Sequence, residues 1–205
     1  MRKSFKVFYV LLLVLVLSAC SSGDFKADHK YKVAPFEFTN HHNEEVSLDD
    51  LKGKVWLAQF VFTNCDSVCG PMMFNMAKLQ HDLIDKGLED YKIVSFSVDP
   101  EIDTPEMLND YLEVYAPIPG DEDIKWDESK WEMLTGYKQD EIEKLAMDSF
   151  KTIVIKSPES DQVFHAVLYS LVNQDGEVVK QYNGVEDVQF EQIVEDMVAL
   201  NKSGS

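Results

Sequence analysis

Val55-Trp56-Leu57-Ala58-Gln59-Phe60-Val61-Phe62, followed by Thr63-Asn64-Cys65-Asp66-Ser67-Val68-Cys69-Gly70-Pro71, is the stretch that decides the fold. So continuous an apolar run does not suit a strand with one wet face, and it predicts a central strand buried on both sides. Beyond Pro71, Met72, Met76, Leu79 and Leu83 recur at three- and four-residue spacing, the period of an amphipathic helix. Two cysteines therefore stand where a buried strand gives way to a helix. Backbone N–H groups and the positive end of the helix dipole favour thiolate at such a junction.

Upstream, Phe36-Glu37-Phe38-Thr39 and Glu45-Val46-Ser47-Leu48 flank the polar turn Asn40-His41-His42-Asn43, which predicts a β-hairpin. His41 and His42 read as solvated turn residues, because neighbours on a strand face opposite sides. Downstream, strand and helix recur: a strand over 92–98, the turn Asp99-Pro100, then a helix through Met107, Leu108, Tyr111 and Leu112. Thr104 caps that helix and Pro105 opens it. Residues 118–126 read as a loop, 140–147 as a short helix and 152–155 as a strand. Val163 to Val172 predicts one long strand, which Asn173-Gln174-Asp175-Gly176 turns into a partner beginning at Glu177. A helix from Gln189 to about Leu200 closes the order. This succession is that of an α/β, thioredoxin-like fold with an N-terminal β-hairpin and an inserted loop or hairpin.

Ahead of the domain, Arg2, Lys3 and Lys6 precede an apolar run from Val7 to Leu17 that ends in Leu17-Ser18-Ala19-Cys20. Small residues closed by cysteine are the pattern of a bacterial lipoprotein signal. At 11 residues the run is short of the roughly 20 that a membrane span needs. The expected organisation is a signal peptide over 1–19, lipidated Cys20 with a flexible tether over 20–31, and the thioredoxin-like domain over 32–202. Such a chain is held by its lipid on the outer face of the cytoplasmic membrane, where disulfides persist. The 205 residues carry 19 Lys and Arg against 37 Asp and Glu, a net charge of −18. Loss of residues 1–19 deepens the acidity, which argues against a nucleic-acid partner.

With Cys20 modified, Cys65 and Cys69 remain. Residues four apart on a helix lie about 6.2 Å apart at Cα, within the span of a disulfide. As a structural staple such a bond gains little, roughly 2 kcal/mol for so short a loop against about 4.7 kcal/mol for a hundred-residue one. Redox exchange or metal binding is the better use of the pair, and the pair alone does not choose between them. His165 is the group expected to reach the same sheet edge, on a strand beside the cysteine strand. Two sulfurs and an imidazole suit copper in either oxidation state. Met72, Met73 and Met76 read as core. A peroxidase would need an arginine to activate the thiolate, and no arginine follows Arg2.

The chain resembles the Sco/SenC family of copper-binding assembly proteins from about Pro35 to the last helix. The resemblance rests on Leu51-Lys52-Gly53-Lys54, on Thr63-Asn64-Cys65 with Cys69, on Val98-Asp99-Pro100-Glu101 followed by Asp103-Thr104-Pro105, and on His165 ahead of Asp175-Gly176. It departs from the family pattern in placing Gly70 between Cys69 and Pro71. The resemblance implies one copper ion, Cu(I) or Cu(II), on Cys65, Cys69 and His165, with Asp99 as an accessory group and a redox-active Cys65–Cys69 disulfide. It also implies a copper-bearing subunit of cytochrome c oxidase as client, and a thiol reductase as a further partner. The competing reading is a thiol–disulfide oxidoreductase that reduces client cysteines without delivering copper.

Overall fold

The computed structural model describes residues 25–115 and 125–203. The expected signal segment, Cys20 and loop residues 118–124 lie outside them. The first strands are β1 (Tyr31–Lys32), β2 (Glu37–Asn40) and β3 (Glu45–Ser47), followed by β4 (Val55–Val61) and helix α1 (Cys69–Asp85). Next come β5 (Tyr91–Ser97), α2 (Pro105–Tyr115), β6 (Trp131–Thr135) and α3 (Gln139–Phe150). The chain then forms β7 (Val154–Lys156), β8 (Val163–His165), β9 (Leu168–Val172), β10 (Glu177–Asn183) and α4 (Phe190–Ser203). Eight strands make one sheet in the order β1-β10-β9-β4-β5-β6-β2-β3, while β7 and β8 form a separate ribbon. The central β4, β5 and β6 run parallel, and the flanking pairs are antiparallel. This is the expected thioredoxin-like arrangement, with β2–β3 as the N-terminal hairpin and β7–β8 as the insertion.

β4 is buried throughout, and its alternating side chains show why its apolar run is unbroken. Phe60 meets the Phe150 ring of α3 edge-on at 5.3 Å, on the face shared with Trp56 and Phe96. The next residue back, Gln59, points the other way: its Nε2 donates to Ser95 Oγ at 2.8 Å and lies 3.3 Å from Met73 Sδ of α1. Truncating Phe60 to alanine should therefore cost about 3–5 kcal/mol. Met72, Met73 and Met76 are fully buried, as expected of core residues. Thr104 caps α2 as read, its hydroxyl accepting the Met107 N–H at 3.2 Å.

The structure corrects several expectations. Val163 to Val172 is not one strand: it breaks at Ala166-Val167, and its halves belong to different sheets. β6 is an additional strand, set by parallel pairing with β5 and by β2 on its other edge. Residues 25–30, expected as tether, run along β10, with the Asp28 and His29 N–H groups both donating to the Val179 carbonyl, at 2.9 and 3.0 Å.

Candidate metal centre

The chain leaves β4 through a loop fixed on two sides. Thr63 donates its hydroxyl to the Asp103 carboxylate at 2.6 Å and its N–H at 3.3 Å, and the Ser97 hydroxyl donates to the same carboxylate at 2.5 Å. Asp103 is buried, and that burial raises its pKa. On the opposite side, Gln162 Nε2 donates to the Asn64 carbonyl at 2.9 Å, and Asn64 Nδ2 to Asp161 at 3.1 Å. The cysteine loop is thus tied both to the end of β5 and to the approach to β8.

Cys65 lies within this loop and Cys69 is the first residue of α1, so the two do not share a helix face as the spacing implied. Val68 precedes the helix without a side-chain cap. The Cys65 sulfur takes over that role by accepting the Cys69 N–H at 3.3 Å, which places it at the positive end of α1. Both cysteines are unbridged; Cys69 is fully buried and Cys65 partly exposed. Gly70 follows in the first helical turn, where an ideal Cβ would stand 3.1 Å from Tyr115 Oη.

His165 arrives from β8, where it is paired with Val154 of β7. It does not belong to the strand beside β4, which is β9. Its Nε2 is 3.3 Å from Cys69 Sγ, and its Nδ1 is 3.2 Å from the Ala166 carbonyl. A carbonyl only accepts, so Nδ1 carries the proton and Nε2 turns its lone pair toward the sulfurs. The Phe62 ring holds the imidazole edge-on, centroids 5.9 Å apart. The ligand atoms of Cys65, Cys69 and His165 all lie within 4.8 Å of one another.

The two thiols polarise each other. The hydrogen bond from the Cys69 side chain is the main cause that lowers the Cys65 pKa, opposed by burial and helped by the His165 ring and then by the Ser67 and Cys69 backbone N–H groups. The same bond raises the Cys69 pKa, and burial and the Cys65 charge push it further. Cys65 is thus the first of the two to ionise, and Cys69 the thiol that stays protonated beside it.

Asp99 is not gathered with these donors. It is buried and accepts Lys156 Nζ at 2.6 Å, a bond by which β7 is fastened to the end of β5. Among the described residues, its one bond to the neighbourhood of the centre is thus to the ribbon that carries His165, not to the sulfurs. Two groups that the motifs did not single out as functional also shape the centre: Asp103, which had served only as part of the motif before the Thr104 cap, and Lys156, which no motif marks. His41, expected in a solvated turn, is buried, and with His42 and Glu128 it makes a second cluster whose ligand atoms lie within 4.8 Å.

Comparison with known proteins places this geometry in context. A family model described as SCO1/SenC matches residues 25–201. A relative named SCO1 protein homolog, from Bacillus subtilis (strain 168), is 44% identical over 186 residues, covering 91% of this chain and 91% of its own length. The crystal structure of a SCO1/SenC family lipoprotein from Bacillus anthracis str. Ames superposes with TM-score 0.75 at 40% identity, over 83% of this chain and 95% of that one. A structure of BsSco, reported with a disulfide switch and as a member of the Sco family of cytochrome c oxidase assembly proteins, gives TM-score 0.74 at 42% identity, over 86% and 97%. Bradyrhizobium japonicum ScoI with copper bound gives TM-score 0.65 at 26% identity, over 82% and 99%.

Proposed function

The chain belongs to the SCO1/SenC family, and from that premise we propose that it takes up one copper ion per chain on Cys65 Sγ, Cys69 Sγ and His165 Nε2 and helps to assemble cytochrome c oxidase. The observation that carries this reading is the convergence of two sulfurs and an imidazole lone pair within 4.8 Å. Copper is the cargo, and this chain's residues do the remaining work. Cys65 offers a thiolate already formed, Cys69 gives up its proton as it ligates, and Ala166 keeps the His165 proton on Nδ1. Two thiolates and one imidazole leave the ion three-coordinate and open to a client thiolate, so transfer to the copper-bearing oxidase subunit proceeds by ligand exchange.

The placement that goes with this function is the outer face of the bacterial cytoplasmic membrane, with the domain anchored through lipid on Cys20. The Leu17-Ser18-Ala19-Cys20 motif and the lipoprotein relative support it. Among the described residues, no helix is long and apolar enough to cross a membrane. A second reading, thiol–disulfide exchange with a client, is favoured by the partly exposed Cys65 thiolate next to the Cys69 thiol. Closure of a Cys65–Cys69 disulfide removes both thiolate ligands and releases copper, and a thiol reductase reopens the site.

The test is a copper titration of the reduced chain freed of residues 1–22, alongside His165→Ala. One tight equivalent with a thiolate-to-copper absorption band, altered in His165→Ala, supports delivery. Absence of stoichiometric binding, with rapid reduction of a disulfide peptide, would favour exchange instead.

A further inference from the structure

A cleft of about 810 Å³ opens beside the centre, with Cys65 and His165 on one wall and Val68, Phe164, Val167 and Leu168 among its apolar lining. Its rim holds two large apolar side chains that folding leaves in water: Phe164 is 63% exposed and Ile155 54%. They stand directly opposite each other on the β7–β8 ribbon, so together they make one apolar ridge. On so acidic a chain, exposed apolar surface next to a reactive sulfur marks a place where another molecule sits. Cys69 has no exposed surface, so an incoming sulfur meets Cys65 first.

The charge around the cleft is one-sided. Asp66 is the fixed charge on its wall, with Asp161 bonded to neighbouring Asn64. The ammonium of Lys156, on the same ribbon, is paired with Asp99 at 2.6 Å and Glu101 at 3.3 Å. An occupant that lays apolar side chains on Phe164 and Ile155 thus meets negative charge beside Cys65 that no cation among the described residues pairs.

Resting on the copper-handling reading above, we propose that this cleft docks an extended apolar segment that carries a cysteine flanked by lysine or arginine, presented by the protein that exchanges metal or disulfide with the centre. The apolar ridge supplies grip, Asp66 and Asp161 select the basic flank, and the segment's sulfur is delivered to Cys65.

The test uses the chain with Cys20→Ser and Cys69→Ser, which leaves Cys65 as its one thiol. The probe is a short apolar peptide with lysines around a central cysteine that is held as a mixed disulfide with thionitrobenzoate. The Cys65 thiolate attacks the peptide sulfur, a Cys65–peptide disulfide forms, the original bond breaks, and coloured thionitrobenzoate leaves with the electron pair. We expect this peptide to react about tenfold faster or more than one with serines for its apolar residues and glutamates for its lysines, a difference two buried side chains readily supply. Adding Ile155→Ser and Phe164→Ser should cut that preference down to the part that Asp66 and Asp161 supply through charge. The rate with the thionitrobenzoate disulfide of mercaptoethanol, which needs no cleft, should stay unchanged. Equal rates for the two peptides, or a preference that the double substitution leaves undiminished, would overturn the proposal. Copper titration of the Ile155→Ser, Phe164→Ser chain with all three ligands intact separates the two readings. If copper fails to bind the unsubstituted chain, the delivery reading falls while the peptide preference still stands or falls by its own rates.

Discussion

Two clusters among the described residues have the makings of a metal site, and they differ in a single proton. At the C-terminal end of β4, His165 gives its Nδ1 proton to the Ala166 carbonyl and aims a lone pair from Nε2 at Cys69. At the other end of the sheet, where β6 begins, His41 accepts the Met133 N–H at Nδ1, at 3.3 Å. The neutral ring must then carry its proton on Nε2, the atom that faces Glu128 at 4.0 Å and has no hydrogen-bond partner. Burial first, and then His42, hold the His41 pKa down to about 4, so the ring stays neutral. Distance alone ranks the clusters as equals, each with its ligand atoms within 4.8 Å of one another, but the partner of the second ring nitrogen does not. One presents a lone pair next to soft sulfur. The other presents an N–H to a carboxylate.

The contrast can be broken most severely at the sulfurs. Cys69→Ser or Cys65→Ser should weaken copper binding by roughly 1,000-fold or more, because a hydroxyl does not replace a thiolate for copper. In the double serine variant, calorimetry with copper(II) or zinc should find no saturable site at His41 and His42. A tight stoichiometric site there would refute the tautomer argument. Next in size, His165→Ala should cost roughly 100-fold in affinity and shift the charge-transfer band, since one of three ligands is lost. A pH series sharpens the picture further. Cys65 is already thiolate and the Cys69 pKa is raised, so between those two pKa values each copper displaces one proton. Affinity should rise about tenfold per pH unit there. Titrations at three pH values would expose a slope near two if both thiols were protonated.

Smaller effects follow from the supports. Asp103→Ala strands the Thr63 and Ser97 donors and should lower stability by about 1–3 kcal/mol, read as a fall in Tm that bound copper partly restores. Smallest of all, His41→Phe should leave copper affinity at the cysteine centre within about twofold, because that ring belongs to the opposite end of the sheet.

Much of this could be read along the chain. The unbroken apolar run of β4 required two covered faces, the Thr104-Pro105 pair marked a helix start, and the cysteines were placed correctly between strand and helix. What escaped reading depended on contacts distant in sequence. β6, Trp131-Glu132-Met133-Leu134-Thr135, is short, and its residues neither alternate strictly nor run apolar throughout; it becomes a strand because β5 and β2 offer edges on either side. The division of Val163–Val172 was hidden because both halves are β-rich, and what parts them is the ribbon's pairing with β7. Burial of His41 in a polar turn, and the three donors gathered on Asp103, likewise have no local signature.

The sulfur that caps α1 also has a bearing on observation. The Cys69 amide donates to Cys65 Sγ, so whatever happens to that sulfur, whether metal, disulfide or alkyl group, alters the acceptor of one identifiable backbone proton. The molecule thereby carries its own gauge: the nitrogen and proton resonances of a single amide would report the state of the centre without a label, a chromophore or the metal itself.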